Sequence, residues 1–430
     1  MKTAVWLYLF LFIAFFDLHA QYPILTPFAV SLGAAPSFIG LMMGIYSITH
    51  LPGNLIAGIG VDRFGSRLFI VLSLLCAGII LLLQAQVVNP WQLLALRSVS
   101  GFVLAFLSPA CMSLLARITT DRIKQGKLMA GNGLVHTFAS VFSPAAGALL
   151  VAQIGFTRAF EYLGWLLITT AICALFFIHE RDATPPMKNS ETQSMTVGMP
   201  TAAPDDTTLE QSAGRPPLDA HHHPSGGGKS KLLPGQSAAQ RPQGRALPWA
   251  VYVLPIATSC AQGILSFELP LMADAHNGTS IMTTGILFSV VSFGALVTLS
   301  MLFLNRFSPY MRTLWGAVML AILYFFLAIG LPLPLASMLF MLGMAKGIIL
   351  PALPTLLIDL SAGERYGQTF SLLSIAYSIG AFIGPMAAGV LRDSVSPYFL
   401  AFVALMAAAA ILPFHGPRRI STTTHFSSSR

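Results

Sequence analysis

The sequence predicts an all-α polytopic membrane protein with twelve transmembrane helices. Three observations carry this prediction: the composition, the apolar segments and the distribution of basic residues. Hydrophobic residues make up 55% of the 430 residues, charged residues make up 9%, and the mean hydropathy is +0.73. Soluble globular domains contain about 25% charged residues. We therefore expect the chain to lie in a lipid bilayer.

Twelve segments are long and apolar enough to cross the hydrocarbon core, which takes about 20 mostly apolar residues. They lie at residues 4–28, 37–57, 68–88, 91–115, 127–151, 159–179, 247–271, 281–304, 313–332, 334–360, 366–390 and 395–415. We number these spans one to twelve in chain order.

The basic residues between the spans indicate the orientation. With the amino terminus inside, the cytoplasmic connections and ends hold twelve basic residues, whereas the outer connections hold only Arg158 and Arg392. The twelve are Lys2, Arg63, Arg67, Arg117, Arg122, Lys124, Lys127, Arg306, Arg312, Arg365, Arg418 and Arg419. Because Lys and Arg accumulate on the cytoplasmic side of membrane proteins, both termini are predicted to be cytoplasmic.

The stretch FFDLHAQYP, residues 15–23, allows two interpretations. Residues 1–20 have the layout of a secretory signal that is cleaved after Ala20. However, Leu18 stands three residues before the cut, where a small residue is required, and the apolar run continues through YPILTPFAV. We expect a retained first span with Asp17 inside the bilayer, where an ionisable residue is costly and indicates function.

Residues 181–246 divide the chain into an N-terminal six-span half, residues 1–180, and a C-terminal six-span half, residues 247–430, which ends in a short cytoplasmic tail. The dividing segment contains TPP, RPP and SGGG and few large apolar residues, so we expect a flexible cytoplasmic linker. Its His221–His223 run is interpreted as a solvated polar tract, with weak metal chelation as the alternative.

Several function classes are not expected. The four cysteines stand singly inside apolar runs, which suggests neither a disulfide framework nor a zinc cluster. No nucleophile, base and orienting group gather at a helix end, so an enzyme is not predicted. We also expect no cofactor and no metal site. A nucleic-acid partner is not expected either, because the positive-inside bias accounts for the net charge of +8.

A possible cytoplasmic gate lies between the second and third spans, in GIGVDRFGSR, residues 58–67. Here the sequence resembles the major facilitator superfamily, whose signature in this loop is Gly-x-Leu-(Ala or Pro)-Asp-(Arg or Lys)-x-Gly-(Arg or Lys)-(Arg or Lys). The matching residues are Gly58, Asp62, Arg63, Gly65 and Arg67. Gly60 replaces the leucine and Ser66 one basic residue. The glycines permit a tight turn, and the charges would pair across helix ends. An ordinary solvated turn is the alternative.

A degenerate second copy of this signature follows the eighth span. In FLNRFSPYMR, Asn305 and Arg306 stand where the first copy has its acid and its first base. A copy six spans after the first is what an internal repeat would produce. The resemblance therefore implies two pseudo-symmetric six-helix bundles. They would rock about a central site and open it first to one side of the membrane and then to the other.

The fourth span contains LLALRSVSG, which is similar to the Arg-x-x-x-Gly signature of proton-coupled members of the family. At 1.5 Å per residue, Arg97 lies about 9 Å below the outer surface and Asp17 about 8 Å below it, in a core of about 30 Å. In the resembled fold, helices one and four line the central cavity, which implies that Asp17 and Arg97 meet. Asp17 would then carry a proton and Arg97 would tune it; a structural ion pair that never titrates is the alternative.

Four further polar residues lie within spans. Gln21 follows Asp17 by one helical turn on the same face, which His19 does not share, and is a candidate for the substrate cavity. His136 and Lys346 lie near the midplane and are candidates for the substrate cavity; hydrogen-bonded structure and snorkelling along a helix seam are their respective alternatives. Glu268 lies near the outer edge, as either a wetted interface residue or a second proton site.

The fifth span contains SPAAGALL, which weakly resembles the Gly-Pro-x-x-Gly-Gly signature of antiporters in this family, with Ser143 and Ala148 replacing glycines. A cleaner Gly384-Pro385 pair lies in the eleventh span. Close packing of small residues explains both segments equally well.

Together these features predict proton-coupled efflux, that is antiport, of a small amphipathic compound, with the proton gradient as energy source. The expected partners are the substrate, protons and the lipid bilayer, and the expected state is a monomer in a bacterial inner membrane. The alternatives are a proton-coupled carrier of a metabolite, sugar or siderophore, with symport left open, and a membrane sensor on the same fold that transports nothing.

Overall fold

The structure is a computed structural model that describes residues 2–118, 122–178, 249–275, 280–301, 306–360 and 366–415. These residues form helices joined by short turns, without a β-strand among them. The predicted linker 181–246 and Asn305 lie outside the described residues, and of Gly58 and Asp62 only the helical backbone is described.

Thirteen α-helices are described. In the N-terminal half they are α1 Lys2–Ala20, α2 Tyr22–Ser31, α3 Pro36–Phe64, α4 Ser66–Gln84, α5 Pro90–Leu104, α6 Leu107–Arg117 and α7 Arg122–Phe177. In the C-terminal half they are α8 Val253–Ala275, α9 Ile281–Ser300, α10 Pro309–Ala328, α11 Leu335–Leu360, α12 Tyr366–Leu391 and α13 Pro397–Ile411. Short 3-10 helices, Trp249–Tyr252 and Leu412–His415, flank the C-terminal set.

These helices account for the twelve predicted spans. By length and composition, eight described helical segments can cross a membrane, and α1 with α2 makes a ninth. The longest segment, Gly131–Phe177, holds spans five and six, because Gly155 breaks α7 with a φ of 79°. The long helix α3 and the shorter α13 complete the twelve. The predicted all-α, twelve-helix membrane fold is therefore confirmed.

The ends of the helices follow local chemistry. Asn89 caps α5 by accepting a hydrogen bond of 2.9 Å from the Trp91 N–H, and Ser280 and Ser308 cap α9 and α10 in the same way. Gly65 separates α3 from α4 with a φ of 87°, a conformation that side chains disfavour. This is the tight turn expected at the cytoplasmic signature.

The first span is bent by 42° between α1 and α2, at Gln21. Pro23 causes the break, since it has no N–H with which to continue the helical ladder. The two segments contact different neighbours: α1 packs on α7, whereas α2 packs on α7 and also on α8 and α9 of the other half.

Two seams join the halves: α3 packs on α12, and α7 packs on α9. In spans, these are the second with the eleventh and the fifth with the eighth. If each span is equivalent to the one six places later, each seam is converted into the other by exchanging the halves. The two halves are thus related by pseudo-symmetry, as an internal repeat requires.

Glycines bring the seams close together at the predicted outer end of the helices. A Cβ added at Gly40, near the start of α3, would lie 2.2 Å from the Pro385 carbonyl oxygen of α12. A Cβ added at Gly285, near the start of α9, would lie 2.4 Å from Cβ of Ala148 in α7. Both seams are therefore tightly closed toward the outer end.

The outer surface of the helices is apolar. Large side chains with more than half of their surface exposed include Leu55, Trp165, Phe176 and Trp315, which lie on three different spans. Exposed apolar surface on this scale fits contact with lipid. The chain is a multi-pass membrane protein.

Candidate functional site

A chain of buried polar groups links the first span to the fourth. Gln21 Nε2 donates a hydrogen bond of 3.0 Å to Asp17 Oδ2, and Arg97 donates one of 2.9 Å from its terminal guanidinium nitrogen to Gln21 Oε1. All three residues are buried, with 2% exposure at Asp17 and 6% at Arg97. Asp17 and Arg97 are thus brought together as the sequence predicts, but through Gln21 rather than by a direct ion pair.

The geometry fixes the role of the Gln21 amide. A carboxylate only accepts hydrogen bonds and a guanidinium only donates them, so the NH2 group must face Asp17 and the oxygen must face Arg97. Asp17 Oδ1 and the Arg97 Nε–H are buried and have no hydrogen-bond partner in the described part of the chain. One carboxylate oxygen is therefore free to take a proton while the other keeps its bond to Gln21.

Arg97 has a second partner in the second span. Its guanidinium carbon lies 4.7 Å from the ring centroid of Tyr46, which is cation–π distance. The close approach of the spans is permitted by Gly101, where a Cβ would lie 2.3 Å from the Tyr46 carbonyl oxygen. The Arg-x-x-x-Gly pattern thus has a local physical reason: the glycine brings α5 against α3, and the arginine meets the tyrosine.

Two histidines lie on the other side of the first span. His19 Nδ1 is 2.7 Å from the Phe15 carbonyl oxygen, and the rings of His19 and His136 lie 5.0 Å apart in an edge-to-face arrangement. His136 is exposed although it lies mid-span. Lys346, from the C-terminal half, is close enough to interact electrostatically with both imidazoles. These histidines therefore lie where the two halves face each other.

Lys346 borders a cavity of the C-terminal half with a volume of about 160 Å³. Its ammonium donates a hydrogen bond of 2.8 Å to Gln262 Oε1 on α8. Residues of α8, α10, α11 and α12 line the cavity, among them Ser259, Leu320 and Tyr377. The predicted substrate-cavity candidate thus borders an actual cavity.

Glu268 forms an ion pair with Arg392, whose guanidinium nitrogen lies 3.2 Å from Glu268 Oε1. The Glu268 side chain is 8% exposed and that of Arg392 27%. Burial of this kind does not fit a wetted interface residue. The carboxylate joins α8 to the end of α12, away from the chain of groups around Asp17.

The cytoplasmic signature is described in part. Arg67 donates a hydrogen bond to the Leu175 carbonyl oxygen, which ties the start of α4 to the end of the sixth span. The Arg63 guanidinium lies 5.4 Å from the ring of Phe64, and Arg306 of the second copy is exposed. A gating role for Gly58, Asp62, Arg63, Gly65, Arg67, Asn305 and Arg306 stays a prediction.

Three residues of the site were not predicted: Tyr46, Gln262 and His19. Tyr46 and Gln262 are polar side chains inside apolar spans, and such residues usually face the interior of a bundle, which is a usable signal. His19 was set aside because it does not share the face of Asp17. The structure gives it a different neighbour, His136.

Comparison with known proteins agrees with this architecture. The family model of the Major Facilitator Superfamily matches residues 7–341. The multidrug resistance protein MdtG of Escherichia coli O17:K52:H18 is 26% identical over 389 residues, which cover 89% of this chain and 85% of that protein. MdtG of Serratia proteamaculans is 25% identical over 329 residues, 76% of this chain and 70% of that protein.

More distant relatives agree. A multi-drug resistance efflux pump PmrA homolog of Lactococcus lactis is 20% identical over 390 residues, 87% of this chain and 84% of that protein. Among solved structures, a bacterial homolog to the human lysosomal transporter Spinster, in an inward-facing and occupied conformation, has a TM-score of 0.71 at 15% identity over 96% of each chain. The family match covers more than half of the sequence, so the chain belongs to the major facilitator superfamily and is a membrane transporter rather than an enzyme.

Proposed function

We propose that this transporter exports small amphipathic compounds in exchange for protons, with Asp17 as the proton carrier and Arg97 as the residue that tunes it. The observation that carries the proposal is the buried chain Asp17–Gln21–Arg97, in which one carboxylate oxygen has no partner in the described part of the chain. The proposed setting is a bacterial inner membrane, which the short outer connections favour. Both termini would be in the cytoplasm, as the positive-inside bias predicts.

The proton step follows from electrostatics. A carboxylate in a dry interior is costly unless a positive charge or hydrogen bonds support it. While Gln21 relays the charge of Arg97, the ionised form of Asp17 is supported. A proton that binds Oδ1 removes the negative charge and weakens the bond from Gln21 to Oδ2, which frees the amide and Arg97 to reorient. Release of that proton on the cytoplasmic side restores the hydrogen bonds from Arg97 to Gln21 and from Gln21 to Asp17.

The names of relatives and the energy of the entering proton both support export. Several relatives at 25–26% identity are named multidrug resistance proteins, which supports export of drug-like compounds. One charge that crosses a membrane potential of 100 mV exchanges about 2.3 kcal/mol. A proton that enters the cell through Asp17 brings this energy together with that of the pH gradient. Exchange for an outgoing compound uses both.

Alternating access would use the two seams. In the described state the seams are closed at the outer end, where Gly40 and Gly285 lie against the opposite half. Opening to the outside requires α3 to part from α12 and α7 from α9. The cytoplasmic signature would then close the inner end, because pairing of its charges across neighbouring helix ends would hold those ends together.

The test uses purified protein in liposomes that contain a pH-sensitive dye. A panel of lipophilic cations, amphipathic anions, neutral antibiotics, sugars and siderophores is added under an imposed proton gradient. For the wild type we expect that at least one amphipathic compound moves protons in the direction opposite to its own movement. Asp17→Asn should abolish this proton movement. Asp393→Asn, which makes the same change at an exposed residue of the outer end, should not.

Three outcomes contradict the proposal. Equal proton movement in Asp17→Asn would make Asp17 structural. Movement of proton and compound in the same direction would indicate symport. Movement of sugars or siderophores alone would indicate a nutrient carrier rather than a drug exporter.

A further inference from the structure

We propose that the cavity at Lys346 is a subsite for the anionic group of the transported compound, so that the substrates are amphipathic anions that carry a carboxylate, phosphate, phosphonate or sulfonate. This inference rests on the proposed transport function and deepens it. The geometry that points to it is a cationic side chain at an otherwise largely apolar cavity between α8, α10, α11 and α12.

The charge of Lys346 is not compensated by an acid. The ammonium has three N–H donors, and the structure gives it one acceptor, the neutral Gln262 Oε1 at 2.8 Å. No carboxylate among the described residues forms an ion pair with it. By contrast, Glu268 neutralises Arg392 at 3.2 Å. A cation inside a membrane span normally has such a partner, and here a bound anion would take that place.

A second donor faces the same cavity. Tyr377 lines it from α12, and its hydroxyl makes no hydrogen bond to a described residue. The neighbouring Ser259 hydroxyl is already used, since it donates to the Tyr377 carbonyl oxygen at 2.6 Å. Among the described lining residues, Lys346, Tyr377 and the second N–H of the Gln262 amide are thus donors left for a ligand. An anion accepts from all three, whereas an ammonium ligand accepts from none.

The size of the cavity limits what it holds. Its volume of about 160 Å³ compares with 300–1,000 Å³ for sites that enclose drug-sized ligands. It therefore takes the charged group and the adjoining carbons, while the rest of the compound extends into the space between the halves. Leu320 and Leu342 supply the apolar wall against those carbons.

Two imidazoles of the N-terminal half, those of His19 and His136, are near enough to Lys346 to be affected by its charge. Asp17 lies on another face of the first span, where its carboxylate is held by Gln21. A bound anion would therefore meet Lys346 and the two imidazoles before it meets the carboxylate. The proton site and the anion site remain separate.

The experiment compares three probes that share a pyrene ring and a four-carbon chain: 1-pyrenebutyrate, 1-pyrenebutanol and 4-(1-pyrenyl)butylamine. Binding to the full chain in zwitterionic lipid nanodiscs is measured by fluorescence anisotropy, and empty nanodiscs are subtracted to remove partition into lipid. We expect the wild type to bind the butyrate most tightly. Lys346→Met should weaken butyrate binding by about tenfold or more, the effect of one charge-assisted hydrogen bond, and leave the other two probes unchanged.

Three further variants control the result. Lys346→Arg keeps the charge and should retain most of the preference for the butyrate. Arg158→Gln removes one positive charge from an exposed position at the outer end and should change nothing. Tyr377→Phe removes one donor without a change in charge and should weaken butyrate binding severalfold. If Lys346→Met does not fold, butyrate binding by Tyr377→Phe is the test of the subsite.

The outcomes separate the subsite from the transport function. Equal binding of the three probes, or butyrate binding that neither Lys346→Met nor Tyr377→Phe weakens, overturns the subsite. If cationic or neutral compounds then still drive proton exchange in liposomes, the proposed function stands without it. If butyrate binding depends on Lys346 but no compound moves protons, the subsite stands and proton exchange fails.

Discussion

Arg97 on α5 donates a hydrogen bond of 2.9 Å to Gln21, which lies at the break in the first span. The amide of Gln21 in turn holds Asp17. A neutral side chain therefore connects the buried acid of the first span to the arginine of the Arg-x-x-x-Gly signature. This arrangement lets the acid and the base respond to each other while each keeps its own position on its own helix.

Removal of the Gln21 amide tests this connection. Gln21→Leu keeps a similar volume but removes the hydrogen bonds that the amide makes to Asp17 and Arg97, and an unsatisfied buried polar group costs about 1–3 kcal/mol. We expect a lower melting temperature and loss of proton-coupled transport. Gln86→Leu, an exposed glutamine near the end of the third span, is the matched control. Wild-type proton coupling in Gln21→Leu would show that the amide does not connect the two charges.

The contact between Arg97 and Tyr46 gives a second prediction. Tyr46→Phe keeps the aromatic face and should transport as the wild type does. Tyr46→Leu removes the cation–π contact, which is worth about 0.5–2 kcal/mol. We expect the leucine variant alone to be less stable in thermal unfolding and to transport more slowly. Equal impairment of both variants would assign the effect to the hydroxyl, and wild-type behaviour of both would mean that the contact of the ring with Arg97 is not needed.

The outer seam gives a third prediction. Gly40→Ala places a Cβ 2.2 Å from the Pro385 carbonyl oxygen, so α3 and α12 have to move apart. We expect longer distances between spin labels at the outer ends of α3 and α12, together with slower transport. Gly133→Ala adds the same methyl group where nothing lies within 4 Å and should change neither measurement. Unchanged label distances in Gly40→Ala would mean that the seam relaxes locally.

The ion pair of Glu268 and Arg392 gives a fourth prediction. Glu268→Gln should lower the free energy of unfolding, since a hydrogen bond to a charged group contributes about 1.5–3 kcal/mol. The loss should lie at the lower end of this range because Arg392 is partly exposed. We expect proton coupling to survive. A double-mutant cycle with Arg392→Gln, followed by thermal unfolding, measures the pair. Loss of proton coupling with unchanged stability would instead make Glu268 a second proton site.

The sequence predicts the helices well because each must satisfy its backbone and expose an apolar surface to lipid. The predicted and observed boundaries differ where polar residues continue a helix. The second span was predicted to end at residue 57, yet α3 continues to Phe64, because helix geometry persists until Gly65 turns the chain. In α7, the turn between two spans is reduced to the single residue Gly155.

The sequence predicted the depth of the candidate site residues in the membrane but not the distances between their helices. Counting residues along each helix placed Asp17 and Arg97 at the same depth, but depth does not give the distance between helices. The bridging role of Gln21 depends on that distance. The pairing of Lys346 with Gln262 depends on where α8 and α11 stand around the cavity. The two residues are 84 positions apart in the chain, and no local pattern encodes their contact.

The bend at Gln21 gives the first span a mechanical role. Its lower segment, α1, packs within the N-terminal half, while its upper segment, α2, also rests on α8 and α9 of the C-terminal half. Rotation of one half against the other would therefore bend the first span at Gln21, the residue that joins Asp17 to Arg97. The bending would change the surroundings of the Asp17 carboxylate. A change of charge at Asp17 would in turn favour or oppose the rotation.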